Sequence, residues 1–251
     1  MLAGRISGFL SPFSKPTRDF SATLGPPFRT LCHGLTSGIL PPQSGLLKSD
    51  LIYQGGQIDA LLDCAQNVVV FEIKSSLLSE AAKRLGDRAA FEKQVNLKFV
   101  RNEDGEAKAI LQLAKSSRSI AERHVPTTMK PARIYPVLLG EERALQALGF
   151  NTYLNSIFQK ELAQDPSVRP LTVMTIGEFE EILPHVSKNT FTWAELFETR
   201  FAGNEVISYS VHQAVVDWCR TKGVASFRNE LILERFEQIF LKMKERYKFE
   251  S

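Results

Sequence analysis

Hydrophobic positions change their period along this chain, and each change marks a different element. From Val68 the run Val-Val-Val-Phe71 is apolar without the alternation of a half-wet strand, which predicts a strand buried on both faces and ending in Glu72-Ile-Lys74. Upstream, Gln57-Ile-Asp-Ala-Leu-Leu-Asp63 reads as its hairpin partner, with the turn centred on Ala65 and Gln66. Antiparallel pairing around that turn sets Asp63 opposite Val68, Leu61 opposite Val70 and Asp59 opposite Glu72. The first strand is expected to begin at Leu51-Ile-Tyr53, with Gly55-Gly56 as a bulge that aims Asp59.

Beyond the hairpin the period lengthens to that of helices. Ser75 to Val100 predicts helix interrupted near Gly86-Asp87, with Leu77, Leu78, Ala81 and Leu85 as its apolar stripe. A second helix, from about Glu106 to His124, places Ile110, Leu113, Ala114, Ser117, Ile120 and Ala121 toward a core. Strands follow at Arg133–Leu139 and Leu171–Ile176, separated by helical pattern around Glu141 to Leu148 and Tyr153 to Leu162. Strands alternating with helices predict an α/β sheet with helices on both faces. Gly177 opens a short acidic helix, and three amphipathic helices are expected at 192–201, 211–222 and 230–247, with Trp193 and Trp218 as core anchors. The organisation expected is an irregular arm over 1–50, rich in Gly, Pro and Ser, an α/β core over 51–185, and a helical C-terminal region over 186–251.

Composition narrows the class without naming a chemistry. Of 251 residues, 43% are hydrophobic, enough for one large domain or a core with an appendage. The thirty-one basic residues nearly balance twenty-eight acids, so a net charge of +3 does not by itself imply nucleic acid, and any phosphate-binding surface must be local. Basic groups are dispersed on the first helical segment and clustered in the last as Lys242, Lys244, Arg246 and Lys248, where a phosphate contact and a favourable helix dipole are both open readings. Three scattered cysteines lack metal-ligand spacing, which fits a reducing cytoplasm, and no apolar run approaches the roughly 20 residues of a membrane helix. The acid-free stretch Met1 to Arg18 carries Pro12 and Pro16 and no amphipathic pattern, so it is not read as a transit peptide. The chain has no phosphate-binding GxxxxGK[ST] loop, no GxSxG elbow and no HExxH helix.

The chemistry is concentrated in the hairpin. Period two sends Glu72 and Lys74 to one side of their strand and Phe71 and Ile73 to the other, so the predicted register gathers Asp59, Glu72 and Lys74 in one patch. Facing carboxylates repel by roughly 0.2–1 kcal/mol, and a cation between them removes the conflict. Lys74 can supply it, as can a hard divalent ion that takes one or two carboxylates and leaves its other positions to water and phosphate oxygens. An acid and a lysine at a strand end are commonly just a solvated ion pair; the doubly buried run before them is what argues for a cleft. Lys108, Gln112, Lys115 and Ser119 recur at helical spacing, placing an amide between two cations, a face suited to phosphate contact or simply to water.

An acid on one strand, then a hydrophobic strand ending in Glu-x-Lys, then helices, resembles the PD-(D/E)XK nuclease superfamily over roughly residues 50 to 140. Asp59 matches the first acid, Glu72 the second and Lys74 the lysine, while Ile58 stands where the motif's name has proline. Gln112 resembles the glutamine that many members place on a later helix. The resemblance implies a restriction-endonuclease-like central mixed sheet flanked by helices, with a helical C-terminal extension. It also implies Mg²⁺ or Mn²⁺ held by Asp59, Glu72 and the Ile73 carbonyl, with Lys74 acting on the attacking water and Gln112 assisting. The expected activity is DNA phosphodiester hydrolysis, with RNA left open as substrate and a homodimer or defence-system partner as company. The C-terminal part resembles that of restriction and phage-defence nucleases. One departure is plain: many relatives carry a glutamate on a helix before the first acid, whereas Asp19 and Asp50 are the acids before Ile58 and neither lies in a helical pattern. The alternative that follows is a nuclease-like subunit without catalysis, binding nucleic acid or a partner.

Overall fold

The computed structural model describes residues 30, 32, 34, 45–75, 78, 88–141, 143–147, 149–162, 165–202 and 210–224. Among the described residues five strands form one mixed sheet in the order β1-β2-β3-β4-β5. The first three, β1 (Leu46–Tyr53), β2 (Gly56–Cys64) and β3 (Asn67–Lys74), are an antiparallel meander. β4 (Arg133–Gly140) and β5 (Thr172–Thr175) then run parallel to β3. The change of sense follows from the connections: two-residue loops can only reverse a chain, whereas parallel neighbours need crossovers long enough to hold helices.

Those crossovers carry α1 (Arg88–Val95), prolonged by a π-helical turn at Asn96–Val100, then α2 (Ala109–Ala121) and α3 (Phe150–Leu162). All three cover one face of the sheet, burying Val68 and Val70 of β3 with Val95, Ile110, Leu113 and Leu154. The opposite face buries Val69, Phe71 and Ile73 under α4 (Ile176–Ser187), α5 (Trp193–Phe201) and α6 (Val211–Lys222). Successive β3 residues thus enter different cores, which is why the sequence run shows no alternation. Trp193 stacks on Phe179 and Phe197 within the second of these cores, while Trp218 meets Phe191 edge-on from its margin. Among the described residues no helix is long and apolar enough to cross a membrane.

The hairpin register agrees with the pattern, since Asp63 pairs with Val68 and Leu61 with Val70 around a loop of Ala65 and Gln66. Elsewhere the structure differs from the sequence reading in informative ways. Gly55-Gly56 is not a bulge within one strand: Tyr53 pairs with Gly56, leaving Gln54 and Gly55 as a tight loop between two strands. The irregularity lies at Asp50, a non-glycine residue at φ 50° that interrupts the ladder between the Ser49–Ala60 and Leu51–Ile58 pairs. Across it the strand turns over, because Ala60 packs in one core and Ile58, two residues away, in the other.

The expected arm also gives residues to the fold. β1 begins at Leu46, and Cys32, in a helical conformation, is buried under the sheet. α5 and α6, within the helical C-terminal region expected from residue 186, pack against the sheet and contribute to one of its cores. The acidic helix is longer than anticipated, because Thr175 and Glu178 form a capping box that starts it one residue early and it continues through Pro184. α2 starts at Ala109 since Asn102–Ala107 closes a small loop instead, and it ends before His124. Residues 79–87 of the first predicted helix, and all of 230–247 with its lysine cluster, lie outside the described residues.

Candidate active site

At the C-terminal end of β3 the antiparallel ladder with β2 stops. The last pair is Ala60–Phe71, one residue short of the predicted Asp59–Glu72 pair. Asp59 makes up the loss with its side chain: Oδ2 accepts the Ile73 N–H at 2.8 Å, a bond buried from water. This fixes the carboxylate against β3, with the Asp50 kink setting the strand's turn and Gln57 Nε2 donating to Asp50 Oδ1 at 3.0 Å. Ile73 therefore enters the site through its backbone while its side chain is buried in the core.

On β3 itself, Glu72 and Lys74 share a face. Lys74 Nζ lies 2.6 Å from Glu72 Oε1, an ion pair whose acid is nearly buried and whose base reaches water. Asp59 and Glu72 are 6% and 5% exposed. Two carboxylates so withdrawn from solvent are stable only with positive charge or donors beside them, which Lys74 and the Ile73 N–H provide.

These groups line a pocket of about 350 Å³. α2 forms the facing wall with Leu111, Gln112, Lys115 and Ser116. Gln112 and Lys115 are exposed, and helical spacing turns both toward the pocket. The remaining wall is the β1–β2 hairpin, where the Tyr53 hydroxyl stands 3.3 Å from Ser116 Oγ. A Cβ at Gly55 would lie 2.4 Å from Tyr53 Cε2, so this glycine is what lets the ring fold across its own turn.

The structure thus brings Asp59, Glu72, Lys74 and Gln112 together around one hollow, with the Ile73 N–H bonded to Asp59. It divides the predicted Lys108–Ser119 face. Lys108 Nζ donates to the Leu97 carbonyl at 2.8 Å, satisfying a group at the π-helical turn, and Ser119 is buried. Tyr53 and Gln57 are site residues that the sequence pattern does not single out; the glycines after Tyr53 are the available signal, one in the loop and one opening β2.

The negative charge extends beneath the sheet. Burial above all, and then the field of Glu180, with Glu141 and Asp59 adding to it, pushes the Cys32 thiol up to about 12. Cys32 is therefore a protonated, buried group and not a nucleophile. Among the described residues no group of three His, Cys, Asp or Glu side chains is close enough to enclose a metal ion, so the donor set at the pocket is Asp59 and Glu72.

No model of a known protein family matches the chain, and no curated protein matches it. Among solved structures, the small subunit of the heterodimeric restriction endonuclease R.BspD6I is similar at 12% identity, over 77% of this chain and 86% of that one, with a TM-score of 0.39. At that degree of likeness the functional reading has to come from the pocket itself.

Proposed function

We propose that this chain is a metal-dependent nuclease of the PD-(D/E)XK type that hydrolyses phosphodiester bonds in DNA. The observation that carries the reading is the convergence of Asp59, Glu72, Lys74 and Gln112 on one open pocket, with Lys74 Nζ 2.6 Å from Glu72 Oε1. A phosphate diester and the water that attacks it need both a Lewis acid and a positioned cation, and these four side chains are of the types to supply them.

The donors suit Mg²⁺ or Mn²⁺: both are carboxylate oxygens, and an open pocket leaves room for the waters and phosphate oxygen that would complete an octahedral shell. Asp59 and Glu72 would hold the ion, with the Ile73 carbonyl as the third protein ligand. When bound, such an ion polarises phosphoryl oxygens and lowers the pKa of coordinated water. Lys74, oriented by Glu72, presents an ammonium to the attacking water and to the charge that develops on the phosphate. Gln112 offers an amide from the opposite wall, able to donate to a phosphate oxygen and accept from water at once. A restriction or phage-defence setting, with a homodimer or partner subunit, is proposed with this activity on the motif resemblance alone.

Nicking of supercoiled plasmid tests the proposal. Cleavage is expected with Mg²⁺ or Mn²⁺, none with EDTA, and a loss of at least about 10²-fold in Glu72→Ala and Lys74→Ala, the scale of removing one electrostatic stabiliser. Equal rates for wild type and both variants would contradict it. A second reading, a nuclease-like subunit that binds nucleic acid or a partner without cutting, is favoured by the lack of a third acid beside the pair among the described residues. DNA binding without nicking in either metal would select it.

A further inference from the structure

The pocket's charge has an asymmetry that bears on how a polyanion could approach it. Its charged lining is two carboxylates, Asp59 and Glu72, and two lysines, Lys74 and Lys115. Glu72 engages Lys74 directly, so that cation is already partly neutralised. The acids form the floor and would repel an incoming phosphate. Lys115 stands apart on the α2 wall: it is exposed, and among the described residues no carboxylate lies within ion-pair distance of it. It lies three residues after Gln112, on the same wall of the pocket, which the β1–β2 hairpin with Tyr53 and Gln57 also lines.

We infer that Lys115 is the backbone-capturing residue of this site, binding a phosphate of a nucleic-acid strand that enters the pocket along the α2 wall. The inference rests on the nuclease reading for its substrate class. It assigns to Lys115 a binding duty distinct from the chemistry given to Lys74. Capture at the rim offsets the repulsion from the floor before any bond is broken, and leaves Gln112 to contact the same strand as a neutral group. Lys115 touches backbone and not bases, so its contribution is expected to be independent of sequence and sensitive to salt.

Fluorescence anisotropy in EDTA, with the wild-type chain and labelled duplex DNA, single-stranded DNA and RNA of one sequence, separates binding from cutting. For the preferred strand, Lys115→Ala should weaken binding about tenfold at about 50 mM salt, and lower the slope of log affinity against log salt by about 0.9 for a duplex or about 0.7 for a single strand. Lys115→Arg should restore both, and Lys222→Ala, a change at an exposed lysine ending α6 on the far side of the sheet, should alter neither. An unchanged slope in Lys115→Ala, an equal effect of Lys222→Ala, or absence of binding to all three strands would overturn the inference. Loss of nicking with the Lys115 effect intact would remove the nuclease reading and leave this one standing. Intact nicking with Lys115→Ala indistinguishable from wild type in KM and salt slope would do the reverse.

Discussion

Asp59 serves the fold and the proposed chemistry through one carboxylate, and two substitutions pull the roles apart. Its Oδ2 replaces a missing ladder partner by accepting the Ile73 N–H, and its charge is half of the acidic pair. Asp59→Ala strands a buried N–H, so it should lower unfolding free energy by about 1–3 kcal/mol. Asp59→Asn keeps an acceptor oxygen in place and removes the repulsion with Glu72, so its stability should stay within about 1 kcal/mol of wild type while nicking is lost. Urea denaturation beside the plasmid assay checks both; an Asn variant that cuts as well as wild type would show that the negative charge at 59 is not used.

Among the elements, the β1–β2 hairpin does most to shape the site, and the sequence conveyed least about it. The β2–β3 register could be read because Val68–Phe71 and Leu61–Asp63 are strongly patterned around a two-residue loop. β1 was harder: its burial varies irregularly along Leu46–Tyr53, as befits an edge strand, so no clean period marks it. The turn-over at Asp50 was invisible for a related reason. Pattern reading assumes that residues two apart share a face, and Ala60 and Ile58 do not. Tyr53 and Gly55 give this element its own test. Gly55→Ala drives a methyl into the Tyr53 ring and should cost about 1–3 kcal/mol, whereas in a Tyr53→Ala background the same change should be nearly neutral. Additive losses in the double-mutant cycle would mean that the ring is not what excludes a side chain at 55.

At the scale of the whole molecule, the sheet with its two helical layers is one folding problem. Amphipathic stripes at 193–201 and 211–222 reveal that these helices bury a face, but a stripe does not say against what. They close the core formed by Phe71, Tyr135 and Val137, in which Trp193 meets Phe71 and Phe179. Trp193→Ala should therefore destabilise by about 3–5 kcal/mol and do so in a single transition that also melts the pocket. Two separate transitions in thermal or urea unfolding, with β-sheet signal outlasting the first, would instead identify an independent C-terminal unit. The same layering explains what was legible of the site. Glu72 and Lys74 on one face follow from period two on β3, and Gln112 from the motif resemblance, whereas Asp59 reaches the site through its side-chain bond to the Ile73 N–H instead of the expected pair with Glu72, and Tyr53 and Gln57 depend on the β1–β2 hairpin. If Asp59 and Glu72 together bind a divalent ion, anomalous diffraction from a crystal soaked in Mn²⁺ should show a peak within bonding distance of both carboxylates, and that peak should disappear in Glu72→Ala; a saturating soak that leaves the pair without a peak, or puts the ion elsewhere, would rule this metal site out.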